Sequence, residues 1–303
     1  MSTPMYVIRP VTITAAILTS STVAEPAVGT DPDPAAWNGA TTYAVGDRVH
    51  YATTHKIYQR RVAGTTATAP DQDPTNWLEV SATNRWKMFD ASRESKTTAA
   101  DSIVVVLTPG VFADALALLN LGAASARVQV TGTSYDETQE LATRVVNDWW
   151  DYFYEPFAYK EDVVFENLPM ALTNEITITV ANTGGTAGIG VCVLGLTREI
   201  GVVEFGAAVG ITDYSVKSTD AFGQTTVVER TWSKRMNVTV WVDDQNVDAN
   251  QRLLASYRAK PLVWVGAGNL YESLIVYGYF KSFDQVIAYP TKSKMALDIE
   301  GLA

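Results

Sequence analysis

The side chains in this sequence best suited to acid–base or nucleophilic chemistry are few: two histidines (His50 and His55), one cysteine (Cys192), and a scatter of carboxylates. A hydrolytic triad needs a nucleophile, a histidine and an acid to converge. His50 falls in an alternating, strand-like stretch, and His55 in the turn-like run Thr53-Thr54-His55-Lys56. Surface or structural roles fit both better than catalysis. Cys192 sits in the apolar run Gly190-Val191-Cys192-Val193-Leu194-Gly195-Leu196 and reads as a small buried hydrophobe rather than a nucleophile. A single cysteine also excludes a disulfide within the chain and a cysteine-rich zinc site. Gly184-Gly185 and Gly188 to Gly190 lack the Lys-Ser/Thr ending of a phosphate loop and read as a flexible hairpin loop. Asp136, Glu137 and Glu155 lie near an aromatic cluster, which makes them the candidates for a glycosidase-type carboxylate pair. Sequence does not fix the separation of such a pair. No zinc spacing or EF-hand pattern occurs, so neither metal nor cofactor is expected.

The elements that would hold these residues are mainly strands. Ile103-Val104-Val105-Val106-Leu107 is a continuous apolar run and predicts a strand buried on both faces. Arg127 to Thr131 and Glu175 to Val180 alternate with period two, as half-buried strands do. Gly-rich Asn182 to Gly188 reads as the hairpin loop between the last two strands before residue 201. Leu141, Val145, Val146, Trp149 and Trp150 share one helical face. Beyond residue 201, strands are predicted at Met236–Val242, Leu262–Val265, Leu274–Tyr277, Val286–Tyr289 and Met295–Glu300. A helix is predicted over Asp244–Tyr257, with Val247, Leu253, Leu254 and Tyr257 facing inward. Two polar, proline-bearing stretches, Glu25–Trp37 and Thr65–Asn76, punctuate the first eighty residues. These patterns divide the 303 residues into an N-terminal arm and linker (1–35), a small compact segment (36–82), a β-sandwich (83–201) and a β-rich C-terminal domain with one helix (202–303). The segment up to Pro26 reads as an arm that adds a strand to a neighbour.

Composition narrows the function. Apolar residues make up 47% and charged residues 18%, enough to bury a core and too little charge for a disordered chain. The net charge of −10 disfavours a nucleic-acid partner. Val11 to Val23 is interrupted by threonines and serines and does not read as an export signal, and no run is long and apolar enough to span a bilayer. The stretch Trp149-Trp150-Asp151-Tyr152-Phe153-Tyr154-Glu155-Pro156-Phe157-Ala158-Tyr159 is denser in aromatics than one domain core needs. One account puts half of these rings in the core. The sharper one makes Trp149, Trp150, Tyr152, Phe153 and Tyr154 a subunit interface, and a third makes the stretch a sugar platform.

Two resemblances add to this reading. Trp37, Tyr43-Ala44-Val45-Gly46-Asp47-Arg48-Val49, Ile57-Tyr58, Pro70 and Trp77 resemble the small chitin-binding-type carbohydrate-binding modules. That likeness implies a three-stranded module with an aromatic core, and a sugar contact at Tyr51, His55, Tyr58 and Trp77. The exposed aromatics that usually follow the position of Tyr58 are replaced by Gln59-Arg60-Arg61-Val62, which weakens the implied sugar binding.

The wider chain is similar to a family found in tailed phages and prophages. The residues that carry this likeness are Arg9–Thr14, Leu18–Ser21, Thr83-Asn84-Arg85-Trp86-Lys87-Met88-Phe89-Asp90, Leu116–Leu121, Tyr277–Lys281 and Leu297–Leu302. Within it, 84–201 is similar to galactose-binding-like jelly-roll domains. The resemblance implies a mainly β, multi-domain virion protein, made in the host cytoplasm and carried in the tail or head–tail region. Together with the β-rich pattern and the missing catalytic residues, it points to a non-enzymatic homo-oligomeric ring or collar protein of the tail, tail tip or baseplate that packs against other tail proteins. A receptor-binding protein gripping a host surface glycan through residues 36–82 is the second expectation, and a virion-borne glycan hydrolase the third.

Overall fold

The computed structural model describes residues 3–29, 31–143, 148–154, 158–267, 270–287, 289 and 291–302. In chain order, the first strands are β1 (Pro4–Pro10) and β2 (Leu18–Ser21). The small module follows with β3 (Thr42–Tyr43), β4 (Arg48–Tyr51), β5 (Lys56–Arg60), β6 (Gly64–Thr65) and β7 (Trp77–Ala82). Next come β8 (Thr97–Leu107), β9 (Ala115–Leu119), β10 (Ser125–Val130), β11 (Asp136–Glu140), β12 (Ala142–Thr143), the helix α1 (Trp149–Tyr154), β13 (Ala158–Tyr159) and β14 (Val163–Phe165). The long strands β15 (Ile176–Ile189) and β16 (Val191–Val203) lead into β17 (Ala208–Asp213), β18 (Val216–Thr219), β19 (Thr225–Val228) and β20 (Trp232–Asp243). The chain ends with α2 (Val247–Ser256), β21 (Leu262–Val265), β22 (Ile275–Val286) and β23 (Lys292–Gly301). The protein is mainly β, with antiparallel strand pairing throughout its sheets.

The module is the three-stranded sheet β4-β5-β7 with the short β3–β6 pair beside it. Its core is Tyr43, Val49, Tyr58 and Trp77, with Trp37 and Tyr51 packed on the rim. So small a body has few residues to bury, and large rings supply most of the apolar area.

The sandwich stacks a five-stranded sheet, β11-β10-β15-β8-β2, on β14, β9 and β16 of a nine-stranded sheet. Ile103, Val105, Leu107, Val128 and Ile178 from one layer meet Leu116, Leu118, Phe165 and Leu194 from the other. Val104 and Val106 are only half-buried, so the apolar run 103–107 is a one-face strand rather than one buried on both faces. The glycine-rich stretch 182–188 is not the hairpin between the last two strands. Its residues 182–185 are a bulge inside β15, whose pairing with β8 skips from Ala181 to Thr186 and resumes over 186–188. The chain changes sheet at Gly190 instead, as it passes from β15 to β16.

The rest of the nine-stranded sheet curls shut. Its order continues β16-β1-β21-β22-β23-β20, and β20 pairs back onto β16 through Val202↔Trp241 and Val203↔Val240. Six antiparallel strands thus close a barrel, which leaves those strands no free edge. Inward positions alternate as closure demands: Met5 and Val7, Ile200, Met236, Val238 and Val240, Trp264, Val276, and Met295, Leu297 and Ile299. Leu254 of α2 and Tyr257, which caps its C-terminus, join the same core. Helix α2 is tied down by buried Asn250, which donates to the Ile200 carbonyl at 2.8 Å. The barrel is tight at Gly278, where a Cβ would stand 2.0 Å from the Glu300 carbonyl oxygen, so only glycine fits.

This arrangement alters three expectations. The N-terminal segment does not extend as an arm: β1 lies between β16 and β21 of its own chain, and Met5, Tyr6, Val7 and Ile8 are all buried. The junction placed at 201–202 falls inside β16, which the sandwich and the barrel share. Of the strand expected at Val286–Tyr289, Val286 belongs to β22, and Ile287 and Tyr289 lie in no strand. Strand β22 is one long strand that ends at Val286, and its outer half is largely exposed, which hides its continuity from an apolar pattern.

Candidate interaction surfaces

The four residues expected to hold a sugar do not form a platform. Tyr58 and Trp77 are buried in the module core, and Trp77 packs edge-on against Tyr43 at 5.2 Å. Tyr51 meets Trp37 edge-on at 5.7 Å. The guanidinium of Arg60, itself buried, lies 4.9 Å from the centre of the Trp77 ring. Arg60 is thus a core residue that stacks on an indole.

His55 is turned the other way, with φ of 58°. Its ring stacks on Trp86 at 4.2 Å, and Nδ1 lies 2.9 Å from the Glu25 carboxylate. Glu25 also accepts from Thr83 Oγ1 at 2.8 Å and from Trp86 Nε1 at 3.0 Å. One nearly buried carboxylate therefore clamps linker, module and sandwich together. His50 serves the same joint, with Nδ1 2.6 Å from the Pro34 carbonyl oxygen. The motif 83–90 is structural throughout: Asn84 exchanges two 2.9 Å bonds with the Thr98 backbone, Lys87 pairs with Asp31, and Met88 is buried.

The nucleophile and acid candidates are likewise engaged. Burial pushes the Cys192 thiol up to about 12. Asp136 accepts from Arg127 and Gln129, and the Arg127 bond holds its carboxyl below the usual range, so it stays ionised rather than donating a proton. Glu137 accepts from Tyr135 Oη at 2.8 Å. Glu155 lies outside the described residues. The Gly184 N–H, which a phosphate cradle would leave free, donates to Asp101 Oδ1 at 2.8 Å. Among the described residues, no group of three His, Cys, Asp or Glu side chains is placed to hold a metal ion, and no helix is long and apolar enough to cross a membrane.

What sequence reasoning missed is a buried ionic node between sandwich and barrel. Asp162 is buried and accepts from Arg93 Nη2 at 3.0 Å through both oxygens, from Lys234 Nζ at 2.6 Å, and from the Asn120 N–H at 2.9 Å. Glu272 accepts the backbone N–H of both Glu161 and Asp162, and lies 4.0 Å from Lys234. Charges so far apart in sequence carry no local pattern that would group them.

The surface offers two apolar features. The expected helix over 141–150 is displaced: Leu141 is buried outside any helix, Val145 and Val146 lie outside the described residues, and α1 covers 149–154. No residue of α1 is buried, which corrects the account that put half of these rings in the core. Trp149, Trp150, Tyr152, Phe153 and Tyr154 are each more than half exposed. They stack on one another, Trp150 on Tyr154 at 4.3 Å and Trp149 on Phe153 at 6.4 Å.

The second feature is a β-arm. Strands β17 and β20 pair as far as Asp213↔Trp232, and the chain then runs on as the two-stranded ladder β18–β19, every residue of which is exposed. Phe222 at its tip is 96% exposed. At the β16–β17 connection, the end of β17 away from the arm, lies an apolar cleft of about 560 Å³ lined by Val203, Ala207, Val209, Leu270, Tyr271 and Leu274. Val216–Thr219 and Thr225–Val228 around Asp220–Gly223 carry an ordinary hairpin signal. Nothing local tells that every residue of the ladder is exposed.

Searches of protein-family models and of curated protein sequences find no match to this chain.

Proposed function

We propose that this chain is a non-enzymatic structural component of a tailed-phage particle, an oligomeric protein of the tail, tail tip or baseplate, or collar that works by assembly. The observation that carries the reading is a pair of exposed features, the aromatic rings of α1 and the β18–β19 arm. Exposed Trp, Tyr and Phe side chains are what a subunit interface is rich in. The closed barrel and the sandwich supply a rigid frame on which such surfaces keep their positions. The sequence resemblance to phage tail proteins gives the setting. Both histidines and Cys192 are committed to packing and joints, which supports the non-enzymatic part of the reading.

Two measurements test it. Native mass spectrometry of the purified chain is expected to show a closed homo-oligomer, and peptide mass spectrometry of purified particles is expected to find the chain in stoichiometric amount. A chain that stays monomeric at high micromolar concentration and is missing from particles would overturn the proposal.

A further inference from the structure

We infer that the outer face of the barrel binds a divalent cation, calcium by its chemistry, in a cleft between β20, β22 and β23. The inference is independent of the assembly reading above.

Strand register builds the cleft. Asn237 and Ser282 lie directly opposite Asp298, one on each side. Two residues along, Thr239 and Asp284 flank Ala296 in the same way. Val238, Leu297 and Phe283 pack into the barrel core, so by strand alternation these six side chains share the outer face. Five of them carry oxygen, and Ala296 is small enough to leave a depression among them. All six line a cleft of about 270 Å³. Directly opposite side chains stand ~4.5–5.5 Å apart at Cβ, and a diagonal pair such as Asp298 and Asp284 roughly 7 Å apart. Both carboxylates can therefore reach one ion at the ~2.3–2.6 Å of a calcium–oxygen bond.

These carboxylates are uncompensated. Among the described residues, neither Asp284 nor Asp298 forms an ion pair. The basic side chains nearest in register serve other groups: Lys294 pairs with Glu204 at 2.8 Å, Lys281 lies 4.0 Å from Glu300, and Arg235 stands opposite Glu300. Asp298 Oδ1 is shut off from solvent and accepts no hydrogen bond from the described residues. A carboxylate oxygen in that state is costly unless a cation meets the group. Two like charges on one diagonal also repel until a cation lies between them.

The donor set names the ion. Two carboxylates with Asn, Ser and Thr oxygens suit a hard cation, not zinc, which favours nitrogen and sulfur. Calcium accepts an uneven oxygen shell completed by water, whereas magnesium requires a near-ideal octahedron. With two carboxylates, a dissociation constant on the order of 10⁻⁴–10⁻³ M is expected.

The test uses the full chain in calcium-free buffer. Calcium chloride at about 10 mM is expected to raise the melting transition by about 3–8 °C, and magnesium chloride at the same ionic strength to do much less. Terbium(III), a luminescent stand-in for calcium, is expected to bind and to be sensitised by Trp241, which lies roughly 7 Å along β20 from Thr239. Asp298→Asn and Asp284→Asn should each weaken binding by about 10-fold or more, the loss of one carboxylate ligand. Without calcium, both should melt at or above wild type, because each removes one of two repelling charges. Ala296→Leu keeps both carboxylates but fills the depression, and it too should abolish the calcium shift and the terbium emission. An equal shift from magnesium chloride would reduce the effect to screening of a chain with net charge −10 and would overturn the inference. Terbium emission that survives in Ala296→Leu, or in the double Asp→Asn variant, would overturn it as well. So would an Asp298→Asn chain that is destabilised without calcium yet still responds to calcium as wild type does, which would make Asp298 a structural acceptor only.

Discussion

Replacing Asp162 with alanine tests the ionic node between sandwich and barrel. The carboxylate is buried and takes two bonds from Arg93, one from Lys234 and one from the Asn120 backbone. The side chains of Arg93 and Lys234 are only 11% and 15% exposed. Glu161 and Glu272 stand further off, at 3.9 and 4.0 Å from the two cations, and compensate in part. Removing one partner of a buried pair costs about 3–5 kcal/mol, because the remaining charge stays out of water. With two cations stranded and two distant carboxylates helping, about 4 kcal/mol is the expected loss. At roughly 2–4 °C per kcal/mol for a chain of this size, the melting transition drops by about 8–16 °C. Calorimetry and urea unfolding measure it. Asp162→Asn keeps the shape and part of the bonding, and is expected to fall between alanine and wild type. The triple change Asp162→Leu, Arg93→Met, Lys234→Met replaces the whole node with apolar groups and is expected to recover most of the loss. An alanine variant within about 1 kcal/mol of wild type would show that water reaches the node and that the reasoning fails.

Other outcomes follow from the same geometry. Gly278→Val drives a side chain into the Glu300 carbonyl of the neighbouring strand β23, and the chain is expected to be recovered only as aggregate; soluble, barrel-folded protein by circular dichroism would refute the fit. Glu25→Ala leaves the Trp86 indole N–H, the Thr83 hydroxyl and His55 without their shared acceptor. It should cost about 1–3 kcal/mol and speed proteolytic cleavage between module and sandwich, with Glu25→Gln milder. Cys192 should react with a thiol reagent only as fast as the protein opens, and rapid labelling of the native chain would contradict its burial.

Local patterns were readable where one element decides its own fate. Leu262–Val265 is an apolar run that is a strand with the expected bounds, and Leu254 and Tyr257 face inward from the predicted helix. The aromatic residues of the module announced a small ring-filled core, but not that Tyr58 and Trp77 would be spent inside it. What stayed hidden depends on pairing at a distance. Nothing near Pro4 says that it will lie beside Val202, and nothing near Trp241 says that it closes a barrel. Strand β9 shows the limit well: Leu116 and Leu118 face the sandwich while Ala115, Ala117 and Leu119 face the barrel side, a two-sided burial that periodicity reads only as a greasy run. The exposed rings of α1 illustrate the converse, since aromatic density predicts burial somewhere without saying against what.

The central position of β1 has a consequence for how the chain is made. Val7 pairs with Arg198 on one side and with Trp264 on the other. At ~5–20 residues per second, a ribosome delivers the first partner roughly 10–40 s, and the second roughly 13–50 s, after β1 emerges. Throughout that interval Met5-Tyr6-Val7-Ile8 is an apolar strand with both edges unsatisfied. The module and much of the sandwich can form while they wait, but the barrel closes only once β20 to β23 are out. Translation order and closure order are thus opposed, and Met5–Ile8 wait unpaired until β16 and β21 are made.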